Sequence, residues 1–96
     1  MNNPAILENA ELIKNYFISI PVEKIGIFGS YSRNQQNKES DLDLLVKFKN
    51  NISLFRLSEI ETELSELLGV KVDLITENSI RNKRILTEIE KEIIYL

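Results

Sequence analysis

The chain contains neither cysteine nor histidine. Without cysteine there is no disulfide framework, no thiol nucleophile and no Cys-ligated zinc. Without histidine there is no Ser-His-Asp triad, no imidazole general base and little prospect of a transition-metal site. Any catalysis must therefore rest on carboxylates, hydroxyls, lysines, arginines and hard, oxygen-liganded ions such as magnesium. Long apolar runs are missing too: none approaches the roughly 20 residues that span a bilayer. The opening MNNPAILENAELIK has no basic stretch leading into an apolar core, so no signal peptide or membrane association is expected and a cytoplasmic location is the default. An excess of basic residues is the last absence. Twelve Lys and Arg stand against 15 Asp and Glu, a net charge of -3, so direct nucleic-acid binding is not expected. With 96 residues and no repeat, low-complexity tract or linker, a single domain over residues 1–96 is expected, burying roughly 60–70% of its surface.

What is present divides into alternating elements. Residues 4–19 read as a helix, with Pro4 in the first turn and Ile6, Ala10, Ile13 and Phe17 on one face. Pro21 ends it. Val22 to Phe28 reads as a strand closed by Gly29-Ser30. The polar segment from Ser30 to Ser40 predicts a short helical turn and a loop. Asp41 to Phe48 predicts a second strand, with Leu42, Leu44, Val46 and Phe48 on one face and Asp41 and Asp43 on the other. Ser53 to Leu68 predicts a helix with an apolar stripe of Leu54, Leu57, Ile60, Leu64, Leu67 and Leu68, and Glu59, Glu61, Glu63 and Glu66 largely off it. Ser53 is its expected N-cap and Gly69 its stop. Val70 to Thr76 predicts a third strand, Ser79 the cap of a last helix to about Lys91, and Ile93–Leu96 a short edge strand. The fold class is therefore α/β (α+β): a small mixed sheet with helices packed on one face, in the order α, β, short α, β, α, β, α. The short first link favours antiparallel neighbours, and the helical second link favours a right-handed parallel crossover.

That topology gathers chemistry at one place. Asp41 and Asp43 are two residues apart on a strand, with Cα atoms roughly 6.5–7 Å apart and side chains on one face. The parallel crossover carries Asp73, also off the hydrophobic phase of its strand, to the same region. Three acids about one point repel each other without a counter-charge, and a divalent metal supplies it. Asp41, Asp43 and Asp73 are thus the candidate metal ligands and catalytic residues, with Asp73 placed to accept a proton from an attacking hydroxyl. Across from them Gly29 lets backbone approach phosphate, Ser30 adds a hydroxyl donor, and Arg33 offers a fork-shaped positive charge. Together these are parts for holding a nucleoside triphosphate with magnesium. Each has a plain structural reading when taken singly: a turn, a solvated strand end, a surface charge. Their conjunction carries the site. Lys47 and Lys49 share the face of Asp43 by parity, which leaves a phosphate contact by Lys47 open. Arg81, Lys83 and Arg84 form a basic patch, read as a solvated helical face or as contact with nucleotide or an acidic partner. Tyr31 is either a stacking platform or a turn aromatic.

Gly29-Ser30, ten intervening residues, Asp41-Leu42-Asp43, and Asp73 in a later strand resemble the signature of the polymerase-β-type nucleotidyltransferase superfamily. The flanking IGIFGSYSR and SDLDLLVKF, with VDLITENSIRNKRIL and EIIYL beyond, are similar to its small members, the minimal nucleotidyltransferase (MNT) antitoxins. The resemblance covers roughly residues 22 to 96. It implies a palm-like fold and an enzyme that uses Mg2+ with ATP. It also implies a role as antitoxin beside a HEPN-type toxin, with AMP transferred to a toxin tyrosine. By position, Gly29, Ser30 and Arg33 would bind nucleotide, and Asp41, Asp43 and Asp73 the metal. Asn34 stands where the family often has glycine, a departure that asparagine's tolerance of left-handed backbone can absorb.

Size narrows the acceptor. Ninety-six residues leave no room for template-gripping elements or a second substrate domain, so much of the acceptor site must come from a partner or another subunit. Two other readings stand beside this one: a non-catalytic binding module that neutralises its partner by covering it, and a transferase acting on a small molecule or an RNA end. The identity of the toxin, the nucleotide preference and the oligomeric state are not legible.

Overall fold

The computed structural model describes residues 4–29 and 41–96, with side chains from residue 9 onward. The expected short helical turn, with Ser30, Tyr31, Arg33 and Asn34, lies outside the described residues, as does the side chain of Ile6.

Helix α1 spans Pro4–Tyr16 and tightens into a 3₁₀ turn over Phe17–Ser19, so the helical segment keeps its expected length but changes pitch at its end. The Ile20 N–H closes that turn on the Phe17 carbonyl at 3.2 Å, and Pro21 forces its predecessor into extended backbone. Strand β1 (Val22–Phe28) follows, then β2 (Leu42–Phe48), α2 (Leu54–Leu68), β3 (Val72–Thr76), a 3₁₀ turn at Glu77–Ser79, α3 (Lys83–Glu92) and β4 (Ile94–Tyr95). The sheet order is β3-β2-β1-β4. β1 is antiparallel to both β2 and β4, whereas β2 and β3 are parallel, as the link lengths required.

The core lies between one face of this mixed sheet and the first two helices. Alternation along the strands turns Ile25, Ile27, Leu42, Leu44, Val46 and Val72 inward, where they meet Ile13 and Phe17 of the α1 segment and Ile60 and Leu64 of α2. Phe17 also stacks at a tilt on Phe48, ring centroids 6.2 Å apart. α3 contributes no residue to this core. Instead, Ile93 just beyond it crowds Gly26 in the middle of β1: a Cβ on Gly26 would run into the Ile93 side chain and lie 3.3 Å from the Tyr95 ring. A glycine inside a strand here marks close approach of another segment.

Three local expectations are corrected. Leu54 is 83% exposed and Leu67 47% exposed, so the apolar stripe of α2 is shorter than its sequence pattern. The fully buried positions are Ile60 and Leu64 one turn apart, while Leu54 in the first turn borders an open cleft with Phe48, Lys49 and Asn51. Ser79 does not cap the last helix. Its hydroxyl donates to the Thr76 carbonyl at 2.7 Å, and Asn82 Oδ1 accepts the Arg84 N–H at 2.9 Å, starting α3 at Lys83. Glu61, expected largely off the apolar stripe, is half-buried and accepts the Leu74 N–H at 2.9 Å. Ser53 and Gly69 bound α2 as expected: the Ser53 hydroxyl accepts the Arg56 N–H at 3.1 Å, and Gly69 is left-handed at φ 71. Among the described residues no helix is long and apolar enough to cross a membrane.

Candidate active site

The site forms where β1 ends and β2 and β3 begin. Antiparallel register sets Phe28 opposite Asp43, so the next residue, Gly29, turns back across the mouth of β2. Gly29 has φ 77, a conformation that residues with a Cβ adopt only at a cost. Space imposes the same choice, because a Cβ on Gly29 would collide with the carboxylate of Asp43. Glycine here therefore serves two purposes: it makes the turn, and it lets backbone lie against an acid.

Parallel register sets Asp43 opposite Asp73. Neighbouring strands are about 4.8 Å apart, and the two residues alternate with inward-facing Leu42, Leu44 and Val72, so both carboxylates belong to the face away from the core. Like charges directly opposed on a sheet are unfavourable without a counter-charge. One row nearer the mouth, the Leu42 N–H donates to the Lys71 carbonyl at 2.8 Å. This ties Lys71 beside Asp41, and the Lys71 Nζ sits 3.8 Å from Asp41 Oδ2. Two rows result: an opposite-charge row, Asp41 with Lys71, followed by a like-charge row, Asp43 with Asp73.

The three predicted acids thus occupy one corner of the sheet, but not as a closed cage. Among the described residues no group of three or more acidic side chains is drawn close enough to hold a metal ion. A magnesium–nucleotide site does not require one, because Mg2+ is usually held by one or two carboxylates together with substrate phosphates and water. The donor chemistry, all hard oxygen, and the glycine cradle beside Asp43 fit that cation. Ser30 and Arg33, predicted for the phosphates, lie outside the described residues.

Lys47 is placed elsewhere. It lies four residues along β2 from Asp43, about 13 Å at strand rise, and pairs with Glu23 at 3.3 Å. A phosphate contact by Lys47 is thereby replaced by an ion pair at the far end of the strand. Arg81, Lys83 and Arg84 are all exposed around the start of α3. Lys71 is the residue that reading for function passed over. Its signal was present, since Lys71 and Asp73 have the same strand parity as Asp41 and Asp43.

Acids at the mouths of two strands, with a glycine turn laid against one of them, are an arrangement suited to nucleotidyl transfer. Residues 10–96 match the model of the nucleotidyltransferase domain family, and the chain belongs to that family; it is a nucleotidyltransferase. A Methanocaldococcus jannaschii protein, provisionally named a protein adenylyltransferase, is 51% identical over 75 residues, covering 78% of this chain and 76% of the relative. A solved structure described provisionally as a minimal nucleotidyltransferase superposes with a TM-score of 0.82 at 28% identity, covering 100% of this chain and 97% of the other. A solved complex of a tri-AMPylated Shewanella oneidensis HEPN toxin with an MNT antitoxin contains a chain that shares the fold with a TM-score of 0.72 at 23% identity, over 95% of this chain and 70% of that one.

Proposed function

We propose that this chain transfers AMP from ATP, with Mg2+, to a hydroxyl of a protein partner, and that the partner is a HEPN-type toxin modified on tyrosine. The observation that carries the reading is the Asp43–Asp73 register pair with Gly29 folded against it. The similarity to relatives named for protein adenylylation supports the acceptor class, and the toxin complex supports the partner.

In this reading Gly29, Ser30 and Arg33 bind the triphosphate. Asp41, Asp43 and Asp73 line the place where magnesium would be held, with substrate phosphates and water completing its shell, and when bound it would neutralise charge on the phosphates and leaving group. The acceptor hydroxyl attacks the α-phosphorus in line, its proton passes to the Asp73 carboxylate, and the bond from the α-phosphorus to the bridging oxygen breaks to release pyrophosphate. With no histidine in the chain, a carboxylate is the available proton acceptor.

Asp41→Asn combined with Asp43→Asn is expected to abolish the added AMP seen by mass spectrometry on the co-expressed partner while leaving the fold intact. Undiminished AMP transfer by that double variant would sink the mechanism. Neutralisation by steric cover alone predicts partner inhibition with no label transferred from ATP, and transfer to a small molecule or RNA end predicts labelling of those acceptors without the partner.

A further inference from the structure

We propose that Lys71 is a displaceable counter-ion for Asp41: it occupies the carboxylate in the empty site and passes to the nucleotide phosphates when a divalent cation takes Asp41. The inference rests on the nucleotidyl-transfer reading of the site and adds a residue to it.

Three observations carry it. The Leu42 N–H to Lys71 carbonyl bond, 2.8 Å, fixes the Lys71 backbone at the entrance of β2. The Lys71 ammonium is 3.8 Å from Asp41 while its side chain is 74% exposed and that of Asp41 40% exposed. Such a pair is weak and easily exchanged, because solvent screens it and side-chain entropy opposes it. Finally, the four residues Asp41, Lys71, Asp43 and Asp73 form two adjacent rows on one sheet face. Among these four residues the carboxylates outnumber the ammonium, so a divalent cation at this corner competes with Lys71 for Asp41. Lys71 thus lowers the repulsion among the acids before metal arrives. A lysine is suited to the exchange, since its compact ammonium on a flexible stem moves between partners more readily than a bidentate arginine fork.

The consequence has opposite signs for the two ligands. Removing the ammonium deepens the negative field and frees Asp41, so Mg2+ alone binds more tightly. The same change removes a positive charge from the phosphate approach, so ATP without metal binds more weakly. For one screened charge removed beside the site, each change is about three- to tenfold.

The experiment titrates the full chain and its Lys71→Ala variant with Mg2+ alone and, separately, with ATP in EDTA, and repeats both on Lys71→Arg. Tighter Mg2+ and weaker ATP in Lys71→Ala, with neither change in Lys71→Arg, which keeps the positive charge, is the expected result. A role confined to folding would not split the two affinities in opposite directions. Wild-type affinity in either titration of Lys71→Ala, or a shift of both the same way, overturns the assignment while leaving the nucleotidyl-transfer reading in place. A wild-type chain that binds neither ligand overturns both.

Discussion

At the scale of single residues, Gly29 carries the sharpest structural demand of the site. Its φ of 77 and the Asp43 carboxylate against its Cβ position act on the same substitution. Gly29→Ala must adopt left-handed backbone, at about 1–2 kcal/mol, and must also push Asp43 off its place opposite Asp73. The expected outcome is a melting temperature lowered by roughly 4–8 °C for each kcal/mol lost, together with weakened Mg·ATP binding by calorimetry. An alanine variant that melts and binds as the wild type does would show the turn to be replaceable. The acids at this corner were legible because strand parity is a strong signal: Asp41, Asp43 and Asp73 all interrupt the inward phase set by Leu42, Leu44 and Val72. Gly26 and Lys71 were as well placed in the text but lacked meaning there. Gly26 matters because Ile93 arrives against it from sixty-odd residues away, and Lys71 matters because register brings it to Asp41. Both facts belong to the assembled chain.

At the scale of elements, the sheet has an edge that α2 closes with side chains. β3 is the outermost strand on its side, so alternate N–H groups point away from β2. Val72 N–H donates to the Ser65 hydroxyl at 2.9 Å, and Leu74 N–H donates to the Glu61 carboxylate at 2.9 Å. Ser65 in turn donates to the Glu61 carbonyl at 2.7 Å, one helical turn back. A bare edge would present these donors to another chain. Ser65→Ala with Glu61→Ala is expected to destabilise the fold by about 1–3 kcal/mol for each donor left without a partner, toward the lower end because both bonds are part-buried. The same variant should speed hydrogen exchange at Val72 and Leu74 and promote concentration-dependent association, read by light scattering. Glu61→Gln, which keeps an acceptor, should do much less. Strand and helix boundaries were largely readable, because Pro21, Ser53 and Gly69 each have a local physical reason to stop or start an element. The function of Glu61 was not. A helical wheel records a glutamate off the apolar stripe as solvated, and only the position of β3 at the sheet edge makes it a backbone cap.

At the scale of the whole molecule, the helical layer is joined across its surface by a hydrogen bond whose titration sets an alkaline limit. Tyr16, at the end of α1, donates its phenolic proton to Glu63 of α2 at 2.7 Å, and Arg56 flanks Glu63 at 3.7 Å. Partial burial, then the Glu63 carboxylate, push the Tyr16 pKa up to about 12 from 10.0. A group whose proton is held more tightly in the folded state stabilises that state fully below its unfolded pKa. Here the contribution is intact up to about pH 10 and is lost between there and about pH 12. Lys24, raised above its usual value by its hydrogen bond and charge pairing with Glu77, loses its contribution in the same direction, above its ordinary pKa. Tyr16→Phe should therefore cost about 0.5–1.5 kcal/mol at neutral pH, the worth of one hydrogen bond, yet lose less stability than the wild type as the pH climbs from 10 to 12. Denaturant midpoints measured across that range would show the two curves converging. Phenolate absorbance gives a second check, since the variant should lack the transition near pH 12. Parallel stability curves would mean that α1 and α2 are held together by the packing around Ile13, Phe17, Ile60 and Leu64, with the tyrosine bond contributing nothing to the layer that backs the sheet carrying Asp43 and Asp73.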